Sequence, residues 1–175
     1  MSDLVWPPKD CFQVELPMGI ASGRSLAGDD SRMRIEMFKR KTDGHLIGRV
    51  WFGEGTQGPP NHVHGGASAY VLDEAMGAVG WMNDYPVVAK KISFELFKMA
   101  PLKTNLEIKA WVVEATERAI QVEAELRLPG GEVSVKSTGD FAILTREKIA
   151  ELNVGSQDPK NLLNNPAFKW SRRAR

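Results

Sequence analysis

The chain has 175 residues, 42% of them hydrophobic, which suits one domain with a real core and is too short for two ordinary ones. Lys and Arg total 23 against 22 Asp and Glu, a formal net charge of +1, so no global field steers the chain toward nucleic acid and a small or locally charged ligand is expected instead. Cys11 is the only cysteine, which excludes a disulfide framework or a thiolate zinc cluster and points to a reducing, cytoplasmic setting. No apolar run approaches the roughly 18 residues of a membrane span, and residues 1–10 lack the basic and apolar regions of a signal peptide.

Residues 1–31 carry Pro7, Pro8, Pro17, Gly19, Gly23 and Gly28 without sustained periodicity, and are expected to form an N-terminal arm lying on the domain surface. From Met33 to Arg40 apolar and charged residues alternate as in a half-buried strand. Thr42-Asp43-Gly44 then turns the chain into a second run, Leu46 to Phe52, which predicts a hairpin. Gly53 to Pro60 reads as a loop stiffened by Pro59-Pro60. From Gly66 to Met82 the residues suit a helix and are apolar on nearly every face, with Asp73 and Glu74 the only charges, which predicts a long buried helix. Its small residues, Ala67, Ala69, Ala75, Gly77, Ala78 and Gly80, allow close approach of a neighbouring element.

Four runs of strand character follow, at 88–97, 105–114, 119–128 and 132–144. Glu117-Arg118 and Pro129-Gly130-Gly131 are short connections, so antiparallel hairpins are expected there. One helix with six strands leaves one economical arrangement: an α+β domain over 32–146 whose antiparallel sheet curls around the helix. Residues 147–175 then form a C-terminal extension, opening with a short helix at 146–152 and ending in the basic cluster Lys169, Arg172, Arg173 and Arg175 beside Phe168 and Trp170.

The chemistry concentrates where loop becomes helix. In Asn61-His62-Val63-His64-Gly65-Gly66 two glycines open the helix, where the first N–H groups lack intrahelical partners and the macrodipole favours negative charge. Asp73 and Glu74 lie mid-helix in an apolar setting, where an ionised carboxylate is costly unless something uses or pairs it. Helical rise separates Gly66 from Asp73 by roughly 10 Å, too far for both to act on one carbonyl. They are therefore expected to come from different subunits, with two such helices antiparallel about a two-fold axis and two identical composite sites per dimer. His62 and His64 alternate, but His45 is the only other histidine, so no metal site is expected.

His64-Gly65-Gly66, followed after six residues by Asp73-Glu74-Ala75-Met76-Gly77, is similar to the signature of the hot-dog thioesterase superfamily, in particular its PaaI-like branch. The preceding Gly58-Pro59-Pro60-Asn61-His62-Val63 and the later Ala100-Pro101-Leu102 resemble it too, and the likeness runs loosely over 33–145. It implies a hot-dog fold and hydrolysis of an acyl-CoA thioester by a homodimer or dimer of dimers. No cofactor is implied, since coenzyme A belongs to the substrate. By the same resemblance Asp73 is the nucleophile or the base that activates water. The N–H groups of Gly65 and Gly66 hold the oxyanion, His64 caps the turn or positions the carbonyl, and Asn61 hydrogen-bonds across the site.

Glu74, about 100° round the helix from Asp73, is expected to make a structural contact beside the substrate. Many members carry Thr or Ser early in the strand after the helix, where this chain has Ala89-Lys90-Lys91 and Ser93 is the nearest hydroxyl. Lys90 and Lys91 are candidates for the phosphates of coenzyme A. The missing hydroxyl keeps open a non-catalytic acyl-CoA binding protein, and His64 with Asp73 keeps open an enoyl-CoA hydratase or dehydratase. The double glycine after His64 favours carbonyl polarisation over that acid–base pair.

Overall fold

A computed structural model describes residues 6–14 and 32–153. The rest of the N-terminal arm and the basic C-terminal cluster lie outside the described residues. The elements run β1 (Cys11–Phe12), β2 (Met33–Arg40), β3 (Leu46–Phe52), a 3-10 turn (Glu54–Thr56), α1 (Gly65–Met82), β4 (Val87–Leu96), β5 (Asn105–Ala115), β6 (Ala119–Arg127), β7 (Val133–Ile143) and α2 (Arg146–Asn153). All strands join one antiparallel sheet of order β1-β2-β3-β5-β6-β7-β4. It has seven strands rather than six because Cys11 and Phe12, in the arm, pair with Arg40 and Lys39 at the sheet edge. Two residues between prolines and polar neighbours leave no periodicity to read.

The sheet wraps α1 because each long strand turns alternate apolar residues toward it. Val50, Leu106, Ile108, Ala110, Val122, Ala124 and Leu126 are buried with Val71, Leu72, Ala75, Met76 and Val79 of the helix in one core. The helix is not buried all round, as its composition suggested. Gly66 is exposed, and Ala69, Tyr70, Asp73, Glu74 and Gly77 are half-buried. At about 100° per residue, positions 66, 70, 73 and 77 fall within one narrow sector. Small side chains disguise this open stripe in the sequence, because Gly and Ala look equally at home inside or outside.

Both helix ends are anchored. At the C-terminus Lys39 Nζ donates to Met82 O at 2.6 Å, placing a cation where the macrodipole favours one, and Asn83 Nδ2 donates to Val79 O and Gly44 O. Trp81 Nε1 donates to Val87 O at 3.1 Å, tying the helix to β4. Among the described residues no helix is long and apolar enough to cross a membrane.

Candidate active site

The loop before α1 is held on two sides. Val63 N–H donates to Ala100 O (2.9 Å), Leu102 N–H to Asn61 O (3.1 Å) and His64 N–H to Thr56 O (2.8 Å). Gly58 sits so close to this turn that a Cβ on it would lie 2.8 Å from His64 Cα, so only glycine lets the loop fold back on the helix start. Asn61 is exposed at φ +62°, a left-handed conformation that Asn tolerates better than most residues.

His64 is the N-cap. Its Nδ1 accepts from Gly66 N–H at 2.9 Å, and its carbonyl accepts from Ala67 and Ser68. A backbone N–H can only donate, so Nδ1 is the bare nitrogen and the neutral ring carries its proton on Nε2, a second donor at the helix mouth. The expected pair of oxyanion donors is thereby divided. Gly66 N–H is engaged by the cap, while Gly65 N–H has no partner among the described residues. Gly65 faces β4, since a Cβ there would lie 3.1 Å from Leu96 Cδ2.

Asp73 lies in the middle of the open stripe, half-buried, its carboxylate making no hydrogen bond or ion pair to any described residue. Burial raises its carboxyl above the ordinary carboxylate value, and no cation among the described residues offsets the effect. Gly77, one turn on, has nothing within 4 Å of where a Cβ would stand, so the space in front of Asp73 is open. Glu74 is half-buried and has a partner of its own.

The strand after the helix separates the remaining candidates. Ser137 Oγ touches Met76 Sδ at 3.5 Å, so Ser137 and its partner Phe94 face the helix. Ser93 and Thr138 then face the opposite side of the sheet, and Lys91 with Asp140 does the same. Ser93 is therefore on the wrong face to serve Asp73. The register shifts between Ala89 and Lys91, making Lys90 the extra residue of a bulge and returning Ala89, opposite buried Phe141, to the helix face. No hydroxyl stands at that position. His62 Nδ1 lies 2.8 Å from Pro60 O, so its ring serves the loop.

Sequence reading missed two features. Tyr70 lies half-buried on the open stripe, with a hydroxyl shielded from solvent and unpartnered among the described residues. Leu96 stands against Gly65 at the site's rim. An aromatic within an apolar helix reads as core, and only the fold shows a hydroxyl left without a partner.

The family model of the thioesterase superfamily matches residues 60–135, from the capping loop into β7. Among solved structures, a crystal structure of a thioesterase superfamily protein is 27% identical, with a TM-score of 0.59 over 62% of this chain. The match spans only 53% of that protein, about half its length. A hypothetical thioesterase of Streptococcus pneumoniae, crystallised with coenzyme A, is 19% identical with a TM-score of 0.58, covering 63% of this chain and 88% of that one. The E. coli PaaI protein, from a phenylacetic acid degradation operon, is 13% identical with a TM-score of 0.58, covering 62% and 78%. At such identities these last two speak for the fold alone. Among curated proteins no sequence matches this chain. Family model and fold agree: residues 60–135 match the thioesterase superfamily, and the described body of this chain has the hot-dog fold of the thioesterases it resembles.

Proposed function

We propose that this protein hydrolyses an acyl-CoA thioester to the free acid and coenzyme A, in a composite site formed where two copies meet. The observation that carries the reading is the presence, on one helix, of an N-terminal donor, Gly65 N–H, and a half-buried carboxylate, Asp73, neither of which has a partner among the described residues. The two are about 12 Å apart along the helix, so a second copy must supply the other half. Three features favour that assembly. The edge of β4 is unpaired among the described residues, exposed Leu96 at its end and Phe97 and Met99 just beyond (63%, 57% and 62% exposed) form an apolar patch, and small residues flank Asp73 along the uncovered stripe. Pairing of two β4 edges about a two-fold axis would continue the sheet through the dimer and bring the two open helix stripes together.

In that site the thioester carbonyl oxygen accepts from Gly65 N–H, with His64 Nε2–H as a second donor, and the helix N-terminus stabilises the oxyanion as it forms. One such donor is worth about 3 kcal/mol. Asp73 of the other copy either attacks the carbonyl carbon or takes a proton from the water that does. Collapse of the tetrahedral intermediate breaks the C–S bond, and the leaving thiolate of coenzyme A takes up a proton. If Asp73 is the nucleophile, the resulting mixed anhydride is then cleaved by water. Lys90 is proposed to meet a phosphate of coenzyme A, a reading supported by its exposure at the bulge beside Ala89, and Lys91, also exposed, is a second candidate. Asn61 and Glu74 border the site without entering the bond-breaking step. The single Cys11 takes no part and suits a cytoplasmic protein.

Ala89, on the helix face with no hydroxyl to orient water, favours one rival: a protein that binds acyl-CoA without cleaving it. Thiol release from short, medium, long-chain and aryl acyl-CoAs separates the two. The expected result is turnover by wild type and a loss of about a hundredfold or more in Asp73→Asn, roughly 2.7 kcal/mol of transition-state stabilisation. Binding of acyl-CoA by both proteins with thiol released by neither would replace hydrolysis with the binding reading.

A further inference from the structure

On the face of the sheet turned away from α1, at the end farthest from β4, lies a cavity of about 330 Å³ lined by Arg34, Glu36, Arg49, Trp51 and Asn105. The strand register assembles it. Arg34, Trp51 and Asn105 stand side by side on β2, β3 and β5, and Glu36 and Arg49 form the next row. Their chain neighbours Met33, Met37, Val50 and Leu106 are buried in the core around the helix, so alternation turns the lining side chains outward. Both guanidinium groups are held in place by the protein itself. That of Arg34 lies over the Trp51 ring, 4.2 Å from its centroid. Arg49 Nε donates to Glu36 Oε2 while its guanidinium lies over the Trp6 ring at 4.9 Å, and Trp6 Nε1 donates to the same carboxylate oxygen at 2.9 Å. Glu36 thus occupies one N–H of Arg49. The Nη groups of Arg49, the guanidinium N–H groups of Arg34 and the Asn105 amide make no hydrogen bond to any described residue. Glu107, next to Arg49 in the row, is paired with Lys109 at 3.2 Å instead. Two guanidinium groups against one carboxylate leave the lining with a net positive charge.

The walls set the ligand class. A guanidinium fork takes a carboxylate or phosphate through two parallel N–H bonds, a geometry that a lysine does not copy. It also stacks on flat rings, so Arg34, seated over Trp51, presents a planar platform, and the Asn105 amide both donates and accepts at a ring edge. Holding the two forks in advance lowers the side-chain ordering that binding has to supply. The described lining has no aliphatic residue to receive a hydrocarbon chain, and its volume lies at the small end of the range for ligand cavities, about 300–1,000 Å³. We infer that this cavity binds a small planar anion, a ring bearing a carboxylate or a phosphate, at a site separated from the helix-face site by the sheet itself. The inference does not depend on the acyl-CoA reading above, since none of its residues belongs to that site.

The test is calorimetric titration of the full-length protein with benzoate and with uridine 5′-monophosphate. Each probe has a control without the ring, acetate or inorganic phosphate, and one without the charge, benzamide or uridine. The expected result is saturable binding of at least one ring anion, about tenfold or more tighter than either of its controls, and weaker by about tenfold or more in Arg34→Gln. Which probe binds tells a carboxylate ligand from a phosphate one. Arg34 is exposed, so Arg34→Gln should melt close to wild type and its weaker binding does not reflect unfolding. Arg34→Lys, which keeps the charge without the fork, is the second variant and should also bind more weakly than wild type. Asp73→Asn, altered on the other side of the sheet, should bind as wild type does. No saturable binding of either ring anion, binding no tighter than that of the controls, or wild-type affinity in both Arg34 variants overturns the inference. Binding lost in Asp73→Asn but kept in Arg34→Gln also overturns it, because the anion would then sit at the helix-face site.

Discussion

Asp73 has an environment that works against its charge. Burial raises its carboxyl, and no described cation offsets it. The folded chain therefore holds this proton more tightly than the unfolded chain does. The stability attached to that protonated form is present below the unfolded value, about 4, and is lost as pH rises through the higher folded value. At neutral pH the ionised side chain costs stability, so Asp73→Asn should melt above wild type at pH 7, with the gap closing as pH falls below about 4. A melting series from pH 3 to 8 checks this; an Asp73→Asn protein less stable at pH 7 would mean the carboxylate has a stabilising partner in the assembly. The same shift moves the acid limb of kcat/KM above the usual carboxylate range, since either role of Asp73 needs it ionised. His64 has a different part. Its ring closes the cap on Gly66, and His64→Ala should lower stability by about 1 kcal/mol, read by urea denaturation. At Gly65, alanine meets only the flexible end of Leu96 and gains helix propensity, so Gly65→Ala should fold with unchanged or higher melting temperature yet lose thiol release because its methyl crowds the carbonyl's approach to the N–H.

Among the elements, β4 is where the fold meets the proposed assembly. One edge is paired to β7 and the other is open, with an apolar end at Leu96, Phe97 and Met99. Leu96→Asp together with Phe97→Asp should shift the sedimentation mass toward that of one 19.4 kDa chain, and activity should fall with it. A dimer unaffected by both charges would place the interface elsewhere. The strands and the helix were readable almost to the residue, because alternation in β2, β5 and β6 and the turn residues Gly44, Gly130 and Gly131 each have one economical interpretation. The hidden features were those with no local signature. The helix stripe was concealed by Gly66, Ala69 and Gly77, whose size suits core or surface. The bulge at Lys90 arises from pairing with β7 and reverses which side of the sheet the following residues face, which moved Ser93 away from the helix. The division between Gly65 and Gly66 depends on which way the His64 ring turns, and a spacing rule cannot express that.

For the whole molecule, the proposed composite site means that the isolated subunit has both halves of a site and cannot bring them together. Donor and carboxylate sit on one rigid helix at a fixed separation of about 12 Å, so no motion of a side chain closes the gap. On the proposed dimer, catalysis is a property of the pair, and two defective subunits should be able to repair each other. The most direct measurement is subunit complementation: unfold Asp73→Asn and Gly65→Ala together in equal amounts, refold them, and assay thiol release against each variant refolded alone. Random pairing makes about half of the dimers mixed, and each mixed dimer contains one intact site and one doubly defective site. The mixture should therefore recover about a quarter of wild-type activity while each variant alone stays near background. A mixture no more active than the mean of the two variants would contradict the account, because it would mean that Asp73 and Gly65 act within one chain or not on the same substrate at all.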